Sequence, residues 1–204
     1  LLQVVRLWPG PDTSFSTVFG LSFDNAGDLY VAGGITTKLT LPANPPYISK
    51  LRRSDLSLVW NTVLKNGPPF EIVVNLLNPW KGFQDTLATV QLTNTATSLQ
   101  FVPDASNVPG RGSLFVTGFT TNGRFFGANP GWNDVWYAKL NAPDGALGWG
   151  RSISATRPET DSFVTQSAID SVGNLYLSGL TNGKFNVAGE QALGGTDSYV
   201  TKVN

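Results

Sequence analysis

Asp170-Ser171-Val172-Gly173-Asn174-Leu175-Tyr176-Leu177-Ser178-Gly179 occurs in three versions along this chain. Its counterparts are Asp24-Asn25-Ala26-Gly27-Asp28-Leu29-Tyr30-Val31-Ala32-Gly33 and the shorter Gly112-Ser113-Leu114-Phe115-Val116-Thr117-Gly118. Each reads as a tight polar turn followed by an alternating strand with an aromatic residue near its start and glycine at its end, the chemistry of a hairpin. Self-similarity at a long interval marks a repeat architecture, here one built of strands.

The repeats extend beyond the hairpin. A Thr/Asn/Gly turn follows at Thr120-Thr121-Asn122-Gly123 and again at Leu180-Thr181-Asn182-Gly183. A third strand is predicted at Tyr47–Leu51, Trp136–Leu140 and Tyr199–Val203, in each case led by an aromatic residue and carrying lysine (Lys50, Lys139, Lys202) one place before the last aliphatic. A fourth follows a second turn at Leu58–Leu64 and Leu147–Ile153, and Leu1–Leu7 looks like a further copy of it. The first strands are expected at Thr17–Phe23, Ser98–Val102 and Phe163–Ile169. Four antiparallel strands repeated around an axis are the blade of a β-propeller.

The expected organisation is therefore all-β, a single β-propeller segment of three four-stranded blades over residues 1–204. The blades span approximately 15–64, 96–153, and 162–204 together with 1–7, and the first strands line a central channel. Three blades are too few for a ring, since propellers typically use about 4 to 8. Two routes to closure follow: association of two copies, or the rest of a longer chain. Residues 65–95 depart from the repeat and read as an inserted hairpin, with arms at Phe70–Val74 and Leu87–Leu92 and a turn at Asn78-Pro79-Trp80-Lys81-Gly82.

The last repeat has the clearest family likeness. Asp161, Asp170-x-x-Gly173-Asn174-Leu175-Tyr176, Gly179-x-Thr181, Phe185 and Gly194-Gly195-Thr196-Asp197-Ser198-Tyr199-Val200-Thr201-Lys202 resemble the SBBP-type β-propeller repeat. Upstream the likeness weakens, with Ala43-Asn44-Pro45-Pro46 and Gly131-Trp132-Asn133-Asp134 in place of the Gly-Gly-x-Asp element, and with Ala105–Arg111 inserted in the middle hairpin turn. The resemblance implies a propeller within a secreted or surface protein and a structural or adhesive role. It supplies no catalytic residues.

Composition narrows the chemistry. The 14 basic and 14 acidic residues balance, with no basic cluster, so neither nucleic acid nor an anionic membrane is an expected partner. No apolar run reaches the roughly 20 residues of a spanning helix. The chain has no Cys and no His, which removes thiolate chemistry, serine-hydrolase triads and zincin sites. No cofactor is expected. Without Met, Leu1 is not an untouched translation start, and a processed product or a fragment is expected.

Asp24-x-x-Gly27-Asp28 and Asp170-x-x-Gly173-Asn174 supply oxygen ligands of the kind calcium takes, but Asp, Asn and Gly also favour tight turns for backbone reasons, and turn chemistry is the reading adopted. No metal site is assigned. The recurring Trp60, Trp149, Trp136, Tyr47 and Tyr199 read as packing between blades, and the recurring lysines as a solvated face or edge charges that block mispairing. Trp8, Trp80, Phe83, Phe126 and Trp132 lie off the repeated framework in Pro/Gly-rich loops or beside them, where aromatic rings anchor partners, and they are the candidate ligand-binding residues. The expected function is a non-catalytic structural or recognition module, extracellular or at the cell surface, that binds protein or glycan through its loops and channel mouth. One alternative is a polysaccharide-acting glycosidase or lyase, because paired carboxylates work without histidine; the chain holds only Glu71, Glu159 and Glu190 besides its aspartates. The other is a half-propeller that assembles with itself.

Overall fold

In the computed structural model the described residues are 14–37, 43–64, 71–78, 82–89, 92–121, 125–126, 133–153, 161–185 and 195–203. They form strands and turns with no helix. β1 (Ser14–Phe23) and β2 (Leu29–Thr37) make the first hairpin; β3 (Ala43–Asn44) leaves this sheet, and β4 (Pro46–Leu51) and β5 (Leu58–Val63) complete it in the antiparallel order β1-β2-β4-β5. β6 (Glu71–Asn78) and β7 (Gly82–Thr89) pair only with each other. β8 (Leu92–Pro103), β9 (Gly112–Thr121), β10 (Asn133–Asn141) and β11 (Leu147–Ile153) form the second sheet, and β3 adds to the outer edge of β8 in parallel. β12 (Ser162–Ile169), β13 (Leu175–Thr181) and β14 (Asp197–Val203) form the third, with three strands among the described residues; the Leu1–Leu7 strand expected to complete it lies outside them.

The strand order within each sheet follows chain order because tight turns join successive strands, as short antiparallel connections require. Alternation does the rest. Leu114 and Val116 on β9, with Trp136, Ala138 and Leu140 on β10, face the first sheet and bury Tyr30, Ala32, Ile48 and Leu64. Phe115, Val135 and Tyr137, one residue out of phase, face the third sheet and pack on Val164, Leu175 and Leu177. The middle sheet thus packs apolar residues on both faces, which is why alternation along its strands is imperfect in the sequence.

Two features go beyond the expected strands. The 65–95 region does hold a hairpin, but its second arm is Gly82–Thr89, set by the pairs Asn78↔Gly82 and Leu77↔Phe83, and Leu92 already belongs to β8. Each first strand also carries a register shift at one place, between Val18 and Gly20, Ala96 and Ser98, and Val164 and Gln166. The extra residues, Phe19, Thr97 and Thr165, align the three sheets residue by residue.

Candidate functional site

Three pieces of repeated chemistry surround the hairpins. The first is the aspartate turn. Asp24 Oδ1 accepts the backbone N–H groups of Ala26 and Asp28, both at 2.9 Å, while Oδ2 accepts the Tyr30 hydroxyl and the Lys50 ammonium, both at 3.0 Å. Asp170 repeats the pattern with Val172, Asn174 and Tyr176. Gly27 and Gly173 sit at φ +85° and +90°, where a side chain is strained, so glycine is demanded by the turn. These donors take up the acceptor positions a cation would need. The aspartates are turn-formers.

Lys50 corrects the reading of the recurrent lysines. It is 6% exposed, lies in ion-pair distance of Asp24 (3.0 Å) and Asp28 (3.3 Å), and sits 5.1 Å from the centre of the Tyr30 ring. Burial pushes the Asp24 carboxyl up, but Lys50, the Asp28 amide and the Tyr30 hydroxyl outweigh it and hold the group below the ordinary carboxylate range. Burial likewise opposes the Lys50 charge, yet Tyr30 and Asp24 raise its pKa above that of a free amine. The Tyr30 hydroxyl is pushed up to about 12, chiefly by burial. Asp170, bonded by Asn174 above all, falls to about 2.

The second piece is a close approach. At Gly33, Gly118 and Gly179 the carbonyl oxygens of Thr17, Thr95 and Phe163 point to where a Cβ would be, and the ring of Tyr47, Trp136 or Tyr199 covers the same spot. The Tyr47 and Tyr199 hydroxyls donate to those first-strand carbonyls at 3.2 and 3.0 Å. Three strands of each sheet are tied together at one point.

The third lies between sheets. Cross-strand pairing aligns Tyr30, Lys50 and Trp60 in a row on the first sheet and Phe115, Lys139 and Trp149 in the matching row on the second. At the first junction this row receives the turn between β10 and β11. The Ala142 carbonyl accepts from Trp60 Nε1 at 3.2 Å and lies 3.3 Å from the Tyr30 hydroxyl oxygen, whose one proton has the nearer Asp24 carboxylate as its acceptor, and the Gly145 carbonyl accepts from Thr62 Oγ1 at 2.8 Å. At the second junction no turn occupies the matching place among the described residues. A cleft of about 260 Å³ lies there, lined by Phe115, Tyr137, Lys139, Trp149, Arg151 and Val203. Trp149 stands edge-on to Tyr137 and to Phe115 at centroid distances of 5.7 and 6.2 Å and is 39% exposed, so it is less enclosed than its repeat position implies.

Of the candidate aromatic residues, Trp8, Trp80 and Trp132 lie outside the described residues. Phe83 is placed on β7 opposite Leu77, and its side chain lies outside the described set. Phe126 is half-buried, its ring centre 4.1 Å from that of Phe125 in a tilted arrangement and 6.1 Å from that of Trp136, and the ring occupies the space a side chain at Gly150 would need. Among these five only Phe126 has its side chain within the described residues, and the described residues that meet at the second junction include Phe115, Tyr137, Trp149 and Arg151. The repeat alignment flags Trp149, but nothing in the sequence separates it from the enclosed Trp60. In comparisons with known proteins, no family model matches the chain and no curated protein matches it.

Proposed function

We propose that the three sheets are blades of a β-propeller segment and that the chain is a non-catalytic structural or recognition module of an extracellular or surface protein. The observation that carries this reading is where the reactive groups go. Asp24 and Asp170, Tyr30 and Tyr176, and Tyr47 and Tyr199 are spent on equivalent turn and strand bonds, leaving recognition to loops and sheet junctions. The likeness of the last repeat to SBBP-type repeats agrees with it. Loop aromatics such as Trp80 and Trp132 are the proposed contacts for protein or glycan. A glycan-binding screen of the full chain beside its Trp80→Ala and Trp132→Ala variants tests this: binding weakened in either variant supports it, and unchanged binding in both removes the loop-aromatic proposal.

Self-association is a second reading with an observation of its own. Aligned on the register shift, Val18, Leu21 and Phe23 correspond to Ala96, Leu99 and Phe101 and to Val164, Ser167 and Ile169. The latter two sets pack against the preceding sheet, whereas Val18, Leu21 and Phe23 are 46%, 60% and 65% exposed. This face suits the third sheet of a second copy, on which Val200 is exposed. Light scattering on the wild type and on Leu21→Thr/Phe23→Thr decides it. A two-chain mass that drops to one chain in the variant supports the pairing; a single-chain wild type refutes it.

A further inference from the structure

The cleft between the second and third sheets repeats the geometry of a seat that is filled one junction earlier. At the first junction the filler is a tight turn of small residues, Asn141-Ala142-Pro143-Asp144-Gly145-Ala146, whose main-chain carbonyls take the Trp60 indole N–H and the Thr62 hydroxyl. At the second, Phe115 replaces Tyr30, Trp149 replaces Trp60 and Arg151 replaces Thr62, by strand register. The Trp149 indole N–H has no hydrogen-bond acceptor among the described residues, and β14, which borders the cleft through Val203, is the outer strand of its sheet there. A strand led by a turn would find both a carbonyl-binding wall and a pairing edge.

Charge sets the seats apart. Lys50 is neutralised by Asp24 and Asp28, but the middle repeat puts Phe115 at the tyrosine position and lengthens the aspartate turn by Ala105–Arg111, and the Asp104 carboxylate there accepts the Ser106 N–H and hydroxyl. Lys139 and Arg151 consequently make no ion pair among the described residues. They lie 5.7 Å from the Phe115 ring and 5.9 Å from the Trp149 ring, and no acidic residue lines the cleft among the described residues. An aromatic floor with two unneutralised cations favours an occupant that brings carbonyl oxygens and a negative charge.

We propose that this cleft docks an acidic tight turn from another polypeptide, whose following strand adds to the edge of β14 that is unpaired among the described residues. The proposal rests on the cleft and on the edge of β14 that has no partner strand among the described residues. The probe is a peptide of sequence Asn141–Ile153, labelled with fluorescein at its N-terminus, titrated with the full chain and read by fluorescence anisotropy. Binding tighter than about 1 mM is expected, weakened at least about fivefold by Arg151→Glu in the protein and by Asp144→Lys in the peptide. Trp149→Phe keeps the ring and removes only the N–H, and a loss of about fivefold is expected there too. Arg151 is exposed, so the melting temperature of Arg151→Glu should match that of the wild type, which separates lost docking from lost folding. No binding, or binding indifferent to all three changes, overturns the proposal, as does binding of a neutral oligosaccharide that the peptide does not displace.

Discussion

Replacing Gly118 by alanine puts a methyl group between two surfaces that cannot both withdraw. Its carbon would fall 2.5 and 2.7 Å from Cζ2 and Cε2 of the buried Trp136 ring, and the Thr95 carbonyl oxygen would be nearer still. Carbon atoms rest at roughly 3.5 to 4 Å, so the ring or the strand must retreat by about 1 Å. The ring is held by Phe125 at 5.0 Å and by the first sheet, and the strand by ladders on both sides. Overpacking of this kind costs about 1–3 kcal/mol, and loss of two ladder hydrogen bonds adds about 1 kcal/mol each, for a total of about 3–5 kcal/mol. Gly173→Ala is the control. Its φ of +90° makes an L-residue strained, at about 1–2 kcal/mol, but no atom lies within 4 Å of the added carbon. Urea unfolding of the wild type and both variants, compared at equal m-value, measures the difference. A Gly118→Ala cost no larger than that of Gly173→Ala would refute the claim that close approach, and not backbone freedom, places glycine there.

Other outcomes follow from the hydrogen bonds and the buried ion pair. Lys50→Met should cost about 3–5 kcal/mol in urea unfolding because it strands the buried Asp24, whereas Lys202→Met, at an exposed position over Tyr176, should cost less than about 1 kcal/mol. Tyr47→Phe should lose about 1 kcal/mol through the Thr17 carbonyl left without its donor, measured the same way. Because the Asp24 and Asp170 pKa values are lowered by folding, the unfolded chain binds more protons in acid. Stability should therefore be full above the ordinary carboxylate range near pH 4 and decline as pH falls towards about 2, which thermal melts across that range would show. The tyrosines act in the opposite direction. Tyr30 ionises near 10 when unfolded and at about 12 when folded, so stability should fall as pH rises between those values, and tyrosinate absorbance should appear together with unfolding.

The repeated hairpins were legible because their signals are local. An aspartate that caps its own turn, a glycine at positive φ three residues on, and an alternating strand with an aromatic residue all lie within about ten residues, and the two aspartate turns form as that pattern predicts. The strands at Tyr47, Trp136 and Tyr199, and those ending at Val63 and Ile153, were readable for the same reason. The register shifts and the β3–β8 pairing were not, since neither leaves a periodic trace.

Side-chain environment was decided by the tertiary structure. Lys50, Lys139 and Lys202 occupy equivalent positions of the repeat, yet the first is buried in an ion pair, the second overlooks a cleft and the third is exposed, because a lysine's surroundings depend on which carboxylates and which neighbouring sheet come within a few ångströms. Trp60 and Trp149 differ likewise: one donates to a turn carbonyl from the next sheet, while the other borders the open cleft. Alone, the sequence determined the all-β class, the turn chemistry and the repeat, which depend on backbone conformation and period. Which equivalent residues are enclosed and which are left open depends on what the neighbouring sheet brings, and that is a property of contacts between residues far apart in the chain.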